Sequence, residues 1–147
     1  MKARVLIFVV VGCISGVALL SQYQRGIGLR RARVAIEANG IASAMSMYYA
    51  KYRRIPGGHL TSEDKWEVSS RDVYEDFKSN ARSMLYQPAR WQSAGNLVDE
   101  WNRSYHFRVV PAETQSPGLL LIVWSFGPNG IDEGGMKDDI AHTVEIE

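Results

Sequence analysis

Asn129, Asp132, Asp138 and Asp139 crowd into one stretch, SFGPNGIDEGGMKDDI, which runs from Ser125 to Ile140 directly after the apolar LLLIVW. Carboxylates this close repel one another unless water or a cation lies between them. Gly130, Gly134 and Gly135 let the backbone curl tightly enough to turn carbonyl oxygens inward, beside those side-chain oxygens. Donors that are all oxygen suit a hard cation. A flexible mixture of side chains and carbonyls suits calcium, with its loose shell, better than the strict octahedron of magnesium. The spacing is not that of an EF-hand, and the same composition also describes an acidic turn in water, so the residues alone leave both readings open.

Elsewhere the chemistry-bearing residues do not converge. His59, His106 and His142 are scattered, no G-x-S-x-G or H-E-x-x-H is present, and no glycine-rich phosphate loop joins a strand to a helix. Asp138 and Asp139 have no nucleophile or oxyanion donor beside them in sequence. The expectation is a protein that is not an enzyme and takes no small-molecule substrate. Lys and Arg number 17 against 16 Asp and Glu, and a net charge of +1 gives no general attraction to nucleic acid. The single cysteine, Cys13, permits no intramolecular disulfide.

The elements that must position the acidic stretch read as follows. From Val5 to Leu20 the chain runs VLIFVVVGCISGVALL without a charge, which fits a membrane helix completed in the interface by Ser21, Gln22 and Tyr23. Two processing signals compete with that reading: a cleaved signal peptide, and a lipoprotein signal in which VVGC places Cys13 for lipidation. Beyond this run, Val34, Ala38, Ile41, Met45, Tyr48, Tyr52 and Ile55 recur at helical spacing, with Arg33, Glu37, Asn39, Lys51 and Arg54 off the stripe. Gly26, Gly28 and Gly40 are weak helix formers, so a kink or frayed join is expected near Arg25 to Gly28, and Pro56-Gly57-Gly58 ends the helix. The division is thus a membrane anchor over residues 1–24 and a globular domain over residues 25–147.

Within the domain, Ser69 to Met84 reads as a short helix capped by Ser69 or Ser70, with Val73, Phe77, Ala81 and Met84 as its apolar stripe. Tyr105 to Val110 and Leu119 to Phe126 read as strands of an antiparallel hairpin around AETQSPG, and His142 to Glu147 as a third strand. The class is α+β, a long N-terminal helix, part anchor and part amphipathic, packed on a small antiparallel sheet. The acidic stretch leaves the second strand and leads toward the last.

Taken in order, these elements and their residues resemble the pseudopilins of type II secretion, above all the major, G-type subunit, and more distantly the type IV pilins. The resemblance rests on YYAKYRRIPGG (Tyr48 to Gly58) at the end of the helix and on DEWNRSY (Asp99 to Tyr105), preceded by GNLV. It rests also on SFGPNG followed by a glycine-rich insertion and DDI, and it leaves out residues 59–94. It implies a pilin-like fold and a structural, non-enzymatic subunit of a secretion or pilus-like assembly, with other such subunits as partners. It implies a calcium loop with Asn129, Asp138 and Asp139 as side-chain ligands, and Asp99, Trp101 and Tyr105 as packing and turn residues. It further implies a single-pass protein of the bacterial inner membrane with its C-terminal domain in the periplasm.

The chain also departs from that family. No glycine precedes the apolar run, and the first acidic residue is Glu37, so leader-peptidase cleavage is not expected. Arg25, Arg30, Arg31 and Arg33 outnumber Lys2 and Arg4 across the apolar run, which taken alone favours the reverse orientation. Asn129 keeps the oxygen of the family's aspartate but not its charge. The alternative is a membrane-tethered or lipid-anchored adaptor of the same fold that does not polymerise.

Overall fold

The computed structural model describes residues 2–60, 66–81, 83–85, 88–111 and 118–146, and the side chains of 2–20, 59, 60, 66 and 67 are outside that description. The elements are α1 (Lys2–Tyr52), β1 (Gly58–Leu60), β2 (Trp66–Val68), α2 (Ser70–Asn80), α3 (Ala89–Ala94), β3 (His106–Pro111), β4 (Leu119–Ser125) and β5 (Ile140–Ile146). The strands form one antiparallel sheet in the order β1-β2-β3-β4-β5, with β3, β4 and β5 as its long members and β2 joined to β3 only through Trp66 and Val109. The α+β reading therefore holds: a long N-terminal helix lies on a small antiparallel sheet, chiefly against β4 and β5.

The apolar stripe explains the packing. Val34, Ala38, Ile41, Met45 and Tyr48 on α1 and Ile55 beyond it are all fully buried, together with Ala42. Each large aliphatic side chain so covered contributes about 1.5–3 kcal/mol. They meet Leu121 and Val123 of β4, Val109 of β3, and Ile140 and Ile146 of β5 in one core. Tyr52, the next residue of the expected stripe, instead lies at the surface, where its hydroxyl donates to the carbonyl of Asn80 at 3.0 Å. The helix runs unbroken through Gly26, Gly28 and Gly40, so the join near Arg25 to Gly28 is not frayed.

Among the described residues no helix is long and apolar enough to cross a membrane, which overturns the expected single-pass inner-membrane placement. From Ser21 onward α1 carries Arg25, Arg30, Arg31, Arg33 and Glu37, and charges at that density are costly in hydrocarbon. The run from Val5 to Leu20, with Cys13, is helical in its backbone, and its side chains lie outside those described.

At the C-terminal end of α1 the chain turns at Pro56-Gly57 and α2 packs against the turn. Gly57 has φ +62°, and a Cβ there would lie 2.4 Å from the backbone nitrogen of Val73. Only glycine tolerates both the left-handed backbone and that approach. Asp76 of α2 secures the corner, accepting from Gly57 N–H at 2.6 Å, Asn80 Nδ2 at 2.9 Å, and the Arg54 guanidinium at 2.9 and 3.0 Å. Ser69 caps α2 through the Asp72 N–H at 3.2 Å, and Val73, Tyr74 and Phe77 face the core. The rings of Tyr48 and Phe77 meet edge to face at 5.5 Å.

Candidate metal centre

The register of the sheet decides where the acidic stretch sits. Ser125 at the end of β4 pairs with Ile140 at the start of β5, so residues 126–139 form a closed excursion from one end of that hairpin. Gly127 opens it at φ +63°, and a Cβ there would fall 2.3 Å from the carbonyl oxygen of Asp138. The two ends of the excursion thus touch backbone to backbone, an approach that a side chain at this position would prevent.

Asp99 anchors the loop from outside. It is completely buried; Oδ1 accepts from the N–H groups of Trp101 and Arg103 at 2.8 and 2.9 Å, and Oδ2 accepts from Ser125 Oγ at 2.6 Å. Ser125 Oγ in turn accepts from the Gly127 N–H at 3.2 Å. Arg103 Nη1 donates to the Gly127 carbonyl at 2.6 Å, tying the turn at 99–103 to the loop entrance. The fully satisfied Asp99 acts as a structural acceptor, and Trp101 is partly buried against the core.

Inside the loop, one carboxylate oxygen from each of Glu133, Asp138 and Asp139 lies within 4.8 Å of the others. Two oxygens that both contact one calcium ion at about 2.4 Å are at most about 4.8 Å apart, so one such ion could reach all three carboxylates. Asp139 is buried, at 8% exposed; its Oδ2 accepts from the Glu133 and Gly135 N–H groups at 3.0 and 2.8 Å. Its Oδ1 is buried and has no hydrogen-bond partner among the described residues. A buried, unpaired carboxylate oxygen is costly, and a cation is the ligand that relieves both that cost and the repulsion around it.

The four residues expected at the site fare differently. Asp138 and Asp139 come together. Asn129 reaches Asp138 with the NH2 of its carboxamide, while its Oδ1 accepts from the Ile131 N–H at 2.7 Å. Service as a cation ligand would need the amide turned, giving up the Ile131 bond. Asp132 is not one of the three clustered carboxylates: its Oδ1 accepts from Trp124 Nε1 at 3.2 Å and the Gly134 N–H at 2.9 Å, which makes it a turn residue docked on β4. Glu133 is the carboxylate that the sequence reading missed. Its signal was its place beside Asp132 and ahead of Gly134-Gly135, where the turn sends neighbouring side chains to opposite sides. Burial alone would raise its pKa, but hydrogen bonds from Asp138 and Lys137 outweigh this and hold it below the usual carboxylate range.

A second polar network joins α1 to the 99–105 segment. Glu37 of α1 pairs with Arg90 and accepts from the Tyr105 hydroxyl at 2.9 Å, and Arg90 also meets Glu100 at 3.1 Å. Burial, reinforced by the charge of Glu37, drives the Tyr105 pKa far above its ordinary value, so this hydroxyl is a permanent donor. Each charge here has an opposite partner, which makes it a clasp between α1 and the 99–105 segment. His106 stacks on Phe126 at 4.1 Å, and burial lowers its pKa against the pull of Asp132, Asp139 and Asp99. In comparison with known proteins, no family model, no curated protein and no solved structure matches the chain.

Proposed function

We propose that this chain is a non-enzymatic structural subunit, pseudopilin-like in build, whose loop 126–139 is closed by calcium. The observation that carries the cation is the pairing of the Glu133, Asp138 and Asp139 cluster with the buried, unpartnered Oδ1 of Asp139. The donors are all oxygen, and the loop that carries them joins β4 to β5, the strands against which α1 chiefly packs. An ion there acts on the folded state as a clip at the end of the hairpin, in keeping with a structural role.

The subunit part of the reading rests on α1. From Val34 to Tyr48 one of its faces is buried in the core, yet Tyr23, Leu29, Ile36 and Met47 remain at least half exposed, from 50% to 71%. A helix with apolar residues left outside its own core suits packing into an assembly of secretion or pilus type, with other subunits of that type as partners. The same exposure favours it over an adaptor of like fold that stays alone. Sedimentation velocity of the full chain separates the two: concentration-dependent association supports the subunit, and a strict monomer favours the adaptor.

Thermal unfolding of the full chain tests the cation. Calcium at 100 times its dissociation constant adds about 2.7 kcal/mol, a rise of several degrees in Tm for a protein of this size. Magnesium at equal concentration should do little, and Asn129→Asp should enlarge the calcium shift by restoring a charge. An identical Tm in excess calcium and in chelator, with unfolding cooperative in both, would leave the loop as an acidic turn in water.

A further inference from the structure

We infer that Glu133 is a calcium ligand of this loop, and that Lys137 is the ammonium it exchanges for the ion. The inference rests on the cation-closed loop proposed above and extends it to a residue that the pseudopilin resemblance does not assign. In the resemblance the third ligand charge belongs to the position of Asn129, which here is neutral. Glu133 supplies a third carboxylate from another point of the same loop, within 4.8 Å of Asp138 and Asp139. The cluster therefore keeps three negative charges, and the number of charged ligands is a main determinant of calcium affinity.

The orientation of Glu133 fits this role. Its side chain is only 13% exposed, with Oε2 accepting from the Asp138 N–H at 3.1 Å and Oε1 accepting from Lys137 Nζ at 3.1 Å. A surface glutamate in a wet turn would extend into solvent; this one is folded back over the loop, against the residue that precedes Asp139. Lys137 is the opposite case, with its side chain 78% exposed. An ion pair with so exposed a partner is weak, so the ammonium can leave into water at little cost when a divalent cation enters. The buried Oδ1 of Asp139 has no such mobile counter-charge and no hydrogen-bond partner among the described residues. The arrangement thus sets a replaceable monovalent charge and a buried, unmet acceptor on the same three carboxylates, which a single divalent ion would satisfy together.

The test is a calcium titration of the full chain by calorimetry, with Tm as an independent readout. Glu133→Gln should weaken calcium binding at least about tenfold, while Lys137→Gln should tighten it by about two- to fivefold. Asp132→Asn, outside the cluster, should leave the calcium-dependent rise in Tm intact. If the wild type binds calcium and Glu133→Gln binds it equally well, Glu133 is no ligand, although the closed-loop reading stands. If wild type, Glu133→Gln and Asp138→Ala are all indifferent to calcium, the closed loop fails and the inference fails with it. Should Glu133→Gln not unfold cooperatively, Lys137→Gln decides: unchanged affinity in that folded variant overturns the exchange.

Discussion

Two corners of this protein are built from the same parts and end in opposite electrostatic states. At the end of α1, Gly57 turns at φ +62° with the backbone of α2 against it; at the end of β4, Gly127 turns at φ +63° with the backbone of Asp138 against it. Each corner has a carboxylate accepting from backbone N–H, one at Asp76 and two at Asp139, and an arginine reaching across the turn. At the helix corner Asp76 receives four donors, from Arg54 twice, Gly57 and Asn80, and both its oxygens are used. At the loop, Asp139 receives two donors on one oxygen and none on the other, with Asp138 and Glu133 close by. A carboxylate whose partners are all supplied by the chain needs nothing further. A carboxylate crowded by its own kind with an oxygen left over is where the proposed ion would act.

The two corners should differ most in their response to substitution at the glycines. Gly57→Ala drives a Cβ to 2.4 Å from the Val73 nitrogen, in a left-handed backbone, and should cost more than about 3 kcal/mol in urea unfolding, because the corner joins α1 and α2 within one core. Gly127→Ala meets an equally close backbone oxygen, at 2.3 Å, but in a loop that can open locally. It should cost less overall and remove the response to calcium. Equal losses from the two would mean that the loop is as integral to the fold as the helix corner.

Next in size is Asp99→Ala, which strands Ser125 Oγ and the Trp101 and Arg103 N–H groups in a fully buried place. A loss of about 3 kcal/mol is expected, the same in calcium and in chelator, since Asp99 supports the loop without belonging to the cluster. Asp138→Ala should behave conversely. It should leave stability in chelator nearly unchanged or slightly higher, by removing repulsion, and abolish up to about 2.7 kcal/mol of calcium-dependent stability.

The smallest expected effect sharpens the electrostatic side. Burial, the largest single influence on Asp76, disfavours its charge, but the bonds from Arg54, Gly57 and Asn80 prevail and lower its pKa. A carboxylate with a depressed folded pKa stabilises above its unfolded value, near about 3.9, and loses that contribution as pH falls through the folded one. Stability measured below about pH 4 should therefore fall more steeply in the wild type than in Asp76→Asn. An unchanged acid slope would show that the Arg54 pair is too well solvated to matter.

What the sequence determined by itself was local and periodic. The spacing of Val34, Ala38, Ile41, Met45 and Tyr48 marks one helix face, because a 3.6-residue period leaves little choice of what to bury. Alternation and β-branching mark β3, β4 and β5, and the Ser69-Ser70 pair marks the start of α2, with the structure choosing Ser69 as the cap. Three-residue strands such as GHL and WEV, and the six-residue α3, are too short to display a period, so pairing and packing alone define them. Composition likewise announced an acidic, glycine-rich loop after β4. Only the tertiary structure decided which oxygens face one another: the turn at Gly134-Gly135 sends Asp132 to the indole of Trp124 and Glu133 to the cluster. It also joined Glu37 to Arg90 and Arg54 to Asp76 across gaps that no spacing rule spans. A sequence fixes which groups carry charge, whereas the distance between two charges, and hence their energy, exists only once the chain has closed on itself.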